Sequence, residues 1–188
     1  MPDYIAQALH KFKHLLAPKR EDAPHKWNCP SYGAKQKFAD PVDQFPRLPA
    51  SNIKHVHTVV GILLDYALAV DNTMLVALGN FPSEQTKGTQ KTLDAITQLL
   101  NYAATHPNAT IRYRKSDMVL HIHSDGSYLS ALKVRSRASG HFFLYLHSPD
   151  PAKFTLNGPI HLIAKIICNE MGLAEEAEIG ALYTNGQE

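Results

Sequence analysis

The feature that most constrains the fold is a change in hydrophobic period near residue 109. Before it, apolar residues recur every three or four positions, which is the spacing of an amphipathic helix. After it, apolar and polar residues alternate, which is the spacing of a half-buried strand. A chain that carries these two patterns one after the other predicts a helical layer followed by a sheet, hence an α+β or α/β fold.

Four helices are predicted before residue 109. The first covers residues 4–16, and Pro18 ends it. The strongest pattern lies at residues 51–70, where apolar side chains step by three and four without a break. Two further helices are predicted at about Thr73–Asn80 and Thr89–Thr105. Nothing in these helices points to catalysis, so their predicted role is packing.

Residues 17–50 separate the first two helices and read as a linker. Six of the twelve prolines fall here and no period is visible, which predicts an extended loop. Trp27 and Tyr32 are its distinctive residues. They either pin the loop to a neighbouring surface by burial or form a platform on which a nucleic-acid base stacks.

The region after residue 109 predicts a mixed sheet with one helix. Its strands are expected at Thr110–Arg114, Met118–Ser124, Phe142–Leu146 and Ile160–Ile167. The helix begins near Ala174 and carries the apolar residues Ile179, Leu182 and Tyr183. One helix leaves a sheet face without cover, so we expect this region to be an incomplete domain.

Composition excludes several classes of protein. Hydrophobic residues make up 44% of the chain and charged residues 19%, so a core can be buried. A formal net charge of +2 is too small to imply nucleic-acid binding alone. The two cysteines, Cys29 and Cys168, form no CxxC pair, which disfavours a disulfide framework and a cysteine zinc site. With no signal peptide and no apolar run near 18 residues, we expect a cytoplasmic or nuclear protein without membrane contact.

Two carboxylates are candidates for a metal-dependent site. Asp125 follows an apolar strand and precedes Gly126, and Glu178 lies one turn inside the last helix. Acids from two elements can bracket divalent cations, and magnesium prefers such hard oxygen ligands. The residues also allow a plainer interpretation: Asp125 is a turn residue, and the acidic run Glu175–Glu178 is a solvated helix N-terminus.

Histidines and basic residues surround this strand. His121 and His123 face the same way on it, so a metal pair is geometrically possible, although two unligated histidines are the simpler interpretation. Six basic residues form a set that contacts phosphates or belongs to a solvated sheet face. These residues are Arg112, Arg114, Lys115, Lys133, Arg135 and Arg137.

The order of several motifs resembles the ribonuclease H region of copia-type retrotransposon polyproteins. The downstream motifs are Ser124-Asp-Gly-Ser-Tyr-Leu-Ser130, Arg135-Ser-Arg-Ala-Ser-Gly140, Asn157-Gly-Pro-Ile160 and Ala174-Glu-Glu-Ala-Glu178. Upstream motifs such as Ala23-Pro-His-Lys-Trp27, Val59-Val-Gly-Ile-Leu-Leu-Asp-Tyr-Ala67 and Tyr102-Ala-Ala-Thr-His-Pro-Asn-Ala109 resemble the segment between the polymerase palm and that domain. The resemblance covers nearly the whole chain.

The resemblance implies an organisation and an activity. Residues 1–50 are then a short helix and Pro-rich linker, 51–108 a helical connection segment, and 109–188 a partial ribonuclease H-like domain. Asp125 corresponds to the first catalytic carboxylate and Glu178 to the helix carboxylate. The parent activity is two-metal hydrolysis of RNA in RNA–DNA hybrids with Mg²⁺, and the partners are the hybrid and the rest of the polyprotein.

The family's third carboxylate lies on a strand downstream of the position that corresponds to Glu188. We therefore expect a polyprotein fragment that is inactive alone. Two alternatives stay open. The chain is a non-catalytic nucleic-acid-binding or interaction module derived from such a polyprotein, or it is an active hydrolase in which histidines replace the missing acid.

Overall fold

The computed structural model of this chain describes residues 1, 3–15, 17–26, 45–81, 88–131, 135–145 and 156–188. The described residues form two compact units. The first extends to Thr110, and the second runs from Ile111 to Glu188. The two hydrophobic periods meet near the same position, so the helical pattern belongs to the first unit and the alternating pattern to the second.

The first unit is helical. It contains α1 (Tyr4–Phe12), α2 (Ala50–Ala69), a 3₁₀ turn (Asn72–Met74), α3 (Leu75–Asn80) and α4 (Gln90–Thr105). The helices predicted at 51–70, 73–80 and 89–105 are thereby confirmed, with ends shifted by one or two residues. The first helix is shorter than predicted because Lys13 adopts a left-handed conformation, and its N–H returns to carbonyls of the last turn.

Apolar side chains at helical spacing form the core of this unit. Val59 and Leu63 of α2 are fully buried, as are Met74 and Leu99. Tyr4 stacks on Tyr66 with ring centroids 5.5 Å apart, and its hydroxyl donates a 2.8 Å hydrogen bond to the Ile62 carbonyl oxygen. This packing joins α1 to α2, since the interlocked apolar stripes leave little room for either helix to move alone.

The second unit contains a three-stranded sheet and one helix. Its strands are β1 (Val119–Ala131), β2 (Arg135–Tyr145) and β3 (Pro159–Ile166), and the helix is α5 (Ala174–Gly186). The strand order is β1-β2-β3, and both pairings are antiparallel. The expected mixed sheet is therefore wrong for the described strands, because each strand pairs antiparallel with its neighbour in sequence. The coarser expectation of helices followed by a sheet is confirmed.

The predicted strand Thr110–Arg114 is also wrong. Residues 107–117 contain no strand. The main chain here bonds two other residues instead. The Asn157 side-chain amide bonds the N–H and the carbonyl oxygen of Arg114, and the Gly158 N–H bonds the carbonyl oxygen of Arg112. The residues at 110–114 therefore alternate without forming a strand, because Asn157 and Gly158, just before β3, hold this segment in place.

Small residues let α5 pack closely on the sheet. Ala138 of β2 and Ala181 of α5 are fully buried and form a cluster with Ile167 and Met171. The apolar residues that marked this helix in the sequence, Ile179, Leu182 and Tyr183, are instead exposed. The side of α5 that contacts the sheet is therefore its alanine side.

The predicted stacking residues Trp27 and Tyr32, together with Lys133, lie outside the described residues. Of the linker at 17–50, the structure describes 17–26 and 45–50. Apart from Ala50, where α2 begins, this described part contains neither a helix nor a named strand. No helix among the described residues combines the length and apolarity that a membrane span requires.

Candidate functional site

Asp125 lies in the middle of β1 and not at its end. The register with β2 is unbroken from Val119 to Ser127, and Asp125 is opposite Ser139. The Ser139 hydroxyl donates to the Asp125 carbonyl oxygen at 3.2 Å and lies 3.5 Å from its Oδ2 atom. The Asp125 side chain is exposed. The strand continues past Gly126, so the sequence interpretation of a turn at this acid is wrong.

Gly126 is required here for space. A Cβ atom at this position would lie 2.7 Å from the Ala177 carbonyl carbon and 2.8 Å from the Glu178 nitrogen. Both distances are shorter than any van der Waals contact, and both atoms belong to the main chain of α5. The absence of a side chain at Gly126 therefore lets the helix cross directly over β1.

Glu178 reaches this crossing point from the helix. Its Oε2 atom accepts a 3.0 Å hydrogen bond from the Gly126 N–H. Since this N–H follows directly after the Asp125 carbonyl, adding the intervening bonds puts the Oε2 atom at most about 6 Å from the Asp125 Cα. The Glu178 carboxylate therefore lies at the peptide group that joins Asp125 to Gly126.

The directions of the two side chains differ from the expectation. Successive side chains alternate across a strand, and the Cβ position of Gly126 points at α5. The side chain of Asp125 consequently lies on the opposite sheet face, together with Ser139. The carboxylates do not face each other across a sheet–helix cleft. Instead, Glu178 bonds a main-chain amide of β1, which is an outer strand of the described sheet.

The other acids of the run have different positions. The Glu176 Oε2 atom accepts a 2.6 Å hydrogen bond from the Gly172 N–H, just before α5 begins. Glu175 and Glu176 both lie in the first turn, where the helix dipole favours negative charge. The plainer interpretation of the acidic run therefore holds for Glu176, while Glu178 alone makes the bond to β1.

Asn185 is a residue of this arrangement that sequence reasoning missed. It is 2% exposed, and its Nδ2 atom donates to the Ser124 Oγ atom at 2.7 Å and to the Ser139 carbonyl oxygen at 2.9 Å. It lies seven positions after Glu178, so both residues are on the same side of α5. The seven-residue spacing from Glu178 was the only sequence signal for Asn185. It was missed because a polar residue near the end of a helix is normally expected to be in solvent.

The basic set separates into exposed and buried members. Arg112, Arg114, Lys115 and Arg135 are exposed, and the Arg135 Nη2 atom donates to the Ile167 carbonyl oxygen at 3.1 Å. Arg137 is 8% exposed, and burial lowers the pKa of its guanidinium group. It lies on the central strand, between Ser127 and Ile166, so the surface does not present it as a phosphate contact.

The two histidines of β1 share a face, as their spacing predicts, but they pack on aromatic rings. His121 stacks on Tyr145 with centroids 4.3 Å apart, and His123 meets Phe143 edge-on at 5.1 Å. Within the described part of the chain, no three or more His, Cys, Asp or Glu side chains lie together so that they could hold a metal ion. These histidines form part of the packing around Phe143, which is fully buried.

No protein-family model matches this chain, and no curated protein and no solved structure matches it.

The bond between Glu178 and Gly126 can be tested directly. Replacing Glu178 with alanine removes a charged acceptor, so we expect the Gly126 amide proton resonance to move upfield by several tenths of a ppm. The measurement is a two-dimensional ¹H–¹⁵N NMR spectrum. Replacing the nearby Glu175 with alanine is the matched control and should leave that resonance in place. An unmoved Gly126 signal in the Glu178 variant would contradict the bond.

Proposed function

We propose that this chain is part of a copia-type retrotransposon polyprotein, spanning its connection segment and part of its ribonuclease H region. The observation that carries the proposal is the bond from the Gly126 amide to Glu178. It joins the strand acid motif to the helix acid motif, which are 52 residues apart in the chain and which the resemblance names as two parts of one site. The order of strands followed by a helix packed on them also supports it.

The residues present do not by themselves fit a resident magnesium site. Magnesium demands near-octahedral oxygen coordination at short distances. The Asp125 side chain lies beside Ser139 on the face of β1 that points away from α5, whereas Glu178 approaches β1 from α5. The described residues contain no group of three potential ligands. We therefore derive no hydrolytic step for this chain alone. Its proposed role within the polyprotein is to supply the strand acid motif, the helix acid motif and part of the nucleic-acid surface.

Cleavage assays separate this proposal from its alternatives. The 188-residue chain is expected not to cleave the RNA strand of an RNA–DNA hybrid in millimolar magnesium. Joined to a following segment that carries the third acid, it is expected to cleave, and Asp125→Asn should abolish that cleavage. Cleavage by the unextended chain that Asp125→Asn stops would favour the active-hydrolase alternative. If neither the 188-residue chain nor the extended chain cleaved the hybrid, the non-catalytic module would be the remaining hypothesis.

The non-catalytic alternative is favoured by the exposed cations. Arg112, Arg114 and Lys115 are exposed, and none of the ion pairs found among the described residues uses them. A nucleic-acid module needs such unpaired cations and no carboxylate pair.

Binding to a hybrid duplex is expected to be weak and sensitive to salt. The logarithm of the affinity should fall linearly with the logarithm of salt concentration, by about 0.9 for each phosphate contact if the hybrid behaves as duplex DNA does. Replacing Arg112, Arg114 and Lys115 with glutamine should lower that slope by up to about 2.7. Replacing Lys19 and Arg20, which are already paired with Glu21 and Asp22, is the control. An unchanged slope in the triple variant would exclude this patch.

A further inference from the structure

The segment at residues 111–114 is clamped by the turn that leads into β3. The Gly158 N–H donates to the Arg112 carbonyl oxygen at 3.1 Å. The Asn157 side chain accepts from the Arg114 N–H at 2.7 Å and donates to the Arg114 carbonyl oxygen at 3.1 Å. A further bond, from the Asn157 Nδ2 atom to the Leu144 carbonyl oxygen at 2.8 Å, ties the clamp to β2. The main chain is therefore fixed on both sides of Tyr113.

Tyr113 is held at its tip as well. Its hydroxyl donates to the Pro159 carbonyl oxygen at 2.9 Å. A Cβ atom on Gly158 would lie 3.0 Å from Tyr113 Cδ1 and 2.6 Å from Ile111 Cγ2, so the ring approaches this turn as closely as a glycine allows. Nevertheless, the residue is 62% exposed. The result is an aromatic ring that is ordered and still mostly in contact with solvent.

An ordered, exposed ring is suited to stacking. A flexible side chain loses rotamer freedom when it binds, whereas a ring that is already fixed by its backbone and its hydroxyl has lost most of that freedom on folding. Tyrosine presents a large flat surface with few rotatable bonds, and every nucleobase has a complementary flat face.

The neighbours of Tyr113 favour a polyanion. Arg112 and Arg114 flank it in the chain, Lys115 follows, and all three are exposed. The acid closest in sequence is Asp117, so the local balance is three positive charges against one negative charge. Long cationic side chains on either side of a stacking ring match the alternation of phosphates and bases along a nucleic-acid strand.

We propose that Tyr113 is a base-stacking platform for single-stranded nucleic acid, with Arg112, Arg114 and Lys115 contacting the adjacent phosphates. A single strand is the favoured occupant because both faces of a base inside a duplex are covered by its neighbours, whereas an unpaired base is free to stack on protein. This inference extends the nucleic-acid-binding part of the proposed function. It does not depend on Asp125 or Glu178.

The test compares two probes with the same phosphates. One is an oligothymidylate about eight nucleotides long, within the range of single-strand sites; the other is an abasic strand of the same length. The intact chain should bind the oligothymidylate more tightly. Tyr113→Ala should raise the dissociation constant for oligothymidylate about 5- to 150-fold and leave that for the abasic strand unchanged. Tyr113→Phe keeps the ring but removes the hydroxyl bond to Pro159, so it should weaken binding less than Tyr113→Ala does.

Salt dependence and a second tyrosine provide the controls. Tyr113→Ala should not alter the salt slope, whereas each of Arg112→Gln and Arg114→Gln should lower it by about 0.7. Tyr183→Ala removes a tyrosine of similar exposure from α5 and should leave affinity unchanged. The Gly158 amide resonance reports whether the clamp stays folded in each variant.

Three results would overturn the inference. They are equal binding of oligothymidylate and the abasic strand by the intact chain, equal binding of polyglutamate, or an unchanged affinity of a folded Tyr113→Ala chain. Failure of the hybrid cleavage assays would leave this result untouched, since single-strand binding involves neither carboxylate. Conversely, loss of the stacking effect would leave the carboxylate assays interpretable.

Discussion

Replacing Gly126 with alanine should detach α5 from the sheet. The added Cβ would meet the Ala177 carbonyl carbon at 2.7 Å and the Glu178 nitrogen at 2.8 Å. These are main-chain atoms of a regular helix, so no side-chain rotation relieves the overlap and the whole helix must shift. Overpacking of this kind costs about 1–3 kcal/mol and occasionally more, and we expect about 3 kcal/mol. Urea unfolding monitored by circular dichroism measures it.

The matched control is another glycine. Gly61 lies inside α2, is exposed and has nothing within 4 Å of its Cβ position. Gly61→Ala should stabilise the chain by about 0.5–1 kcal/mol, because glycine in a helix interior loses more conformational entropy than alanine. The same substitution is thus expected to have opposite signs at the two sites. A Gly126→Ala variant as stable as the parent chain would contradict the close crossing.

Gly126→Ala also tests the site. If α5 moves away from β1, the Glu178 carboxylate loses the Gly126 amide, to which it is now bonded at 3.0 Å. The Gly126→Ala chain joined to the segment with the third acid should then lose hybrid cleavage, even under conditions where circular dichroism shows it folded. Tyr113-dependent binding of a single strand should persist, because the clamp at Asn157 does not involve α5.

The spacing of apolar residues in the sequence was enough to predict the helices that bury one face. It predicted α2 and α4 because their apolar residues must face a common core. It failed at Thr110–Arg114, where alternation arises without a strand partner, because side-chain amide groups of Asn157 replace the ladder bonds. Asn157 lies 43 positions after Arg114, so the alternation of apolar and polar residues at 110–114 could not indicate their hydrogen bond.

The candidate site was predictable in part. Asp125 and Glu178 stood out as acids on two different elements, and α5 does carry Glu178 to the peptide after Asp125. Their side-chain directions could not be foreseen, because alternation on β1 depends on which face α5 covers. That choice is made by the alanines and glycines of the interface, whereas hydropathy pointed to Ile179 and Leu182, which are exposed.

Gly140→Ala should be the second large effect, and it should depend on Asn185. A Cβ at Gly140 would lie 2.8 Å from Asn185 Cγ and closer still to Asn185 Oδ1. Asn185 cannot move aside easily, because it is buried and its Nδ2 atom bonds both β1 and β2. We expect a loss of about 2–3 kcal/mol in the free energy of unfolding.

Removing the asparagine side chain should reverse much of that loss. Asn185→Ala alone should destabilise the chain, since it deletes two hydrogen bonds worth about 0.5–1.5 kcal/mol each. The loss of stability is partly offset, because the Asn185 Oδ1 atom is buried without a hydrogen-bond partner. Removing this atom removes the free-energy cost of burying it unbonded. In the Gly140→Ala background, the same substitution makes room for the new methyl group.

A double-mutant cycle isolates this coupling. The Gly140→Ala, Asn185→Ala chain should be more stable than the sum of the single effects predicts, by at least about 1 kcal/mol, within the range for residues in contact. The control pairs Asn185→Ala with Gly126→Ala. There the overlap is with the main chain of Ala177 and Glu178, so removing the Asn185 side chain gives no relief and the effects should simply add. Equal coupling in both cycles would mean that Asn185 only supports the helix generally. Coupling confined to Gly140 would mean that the Asn185 side chain fixes where α5 lies along the sheet. It would then also fix the position of Glu178.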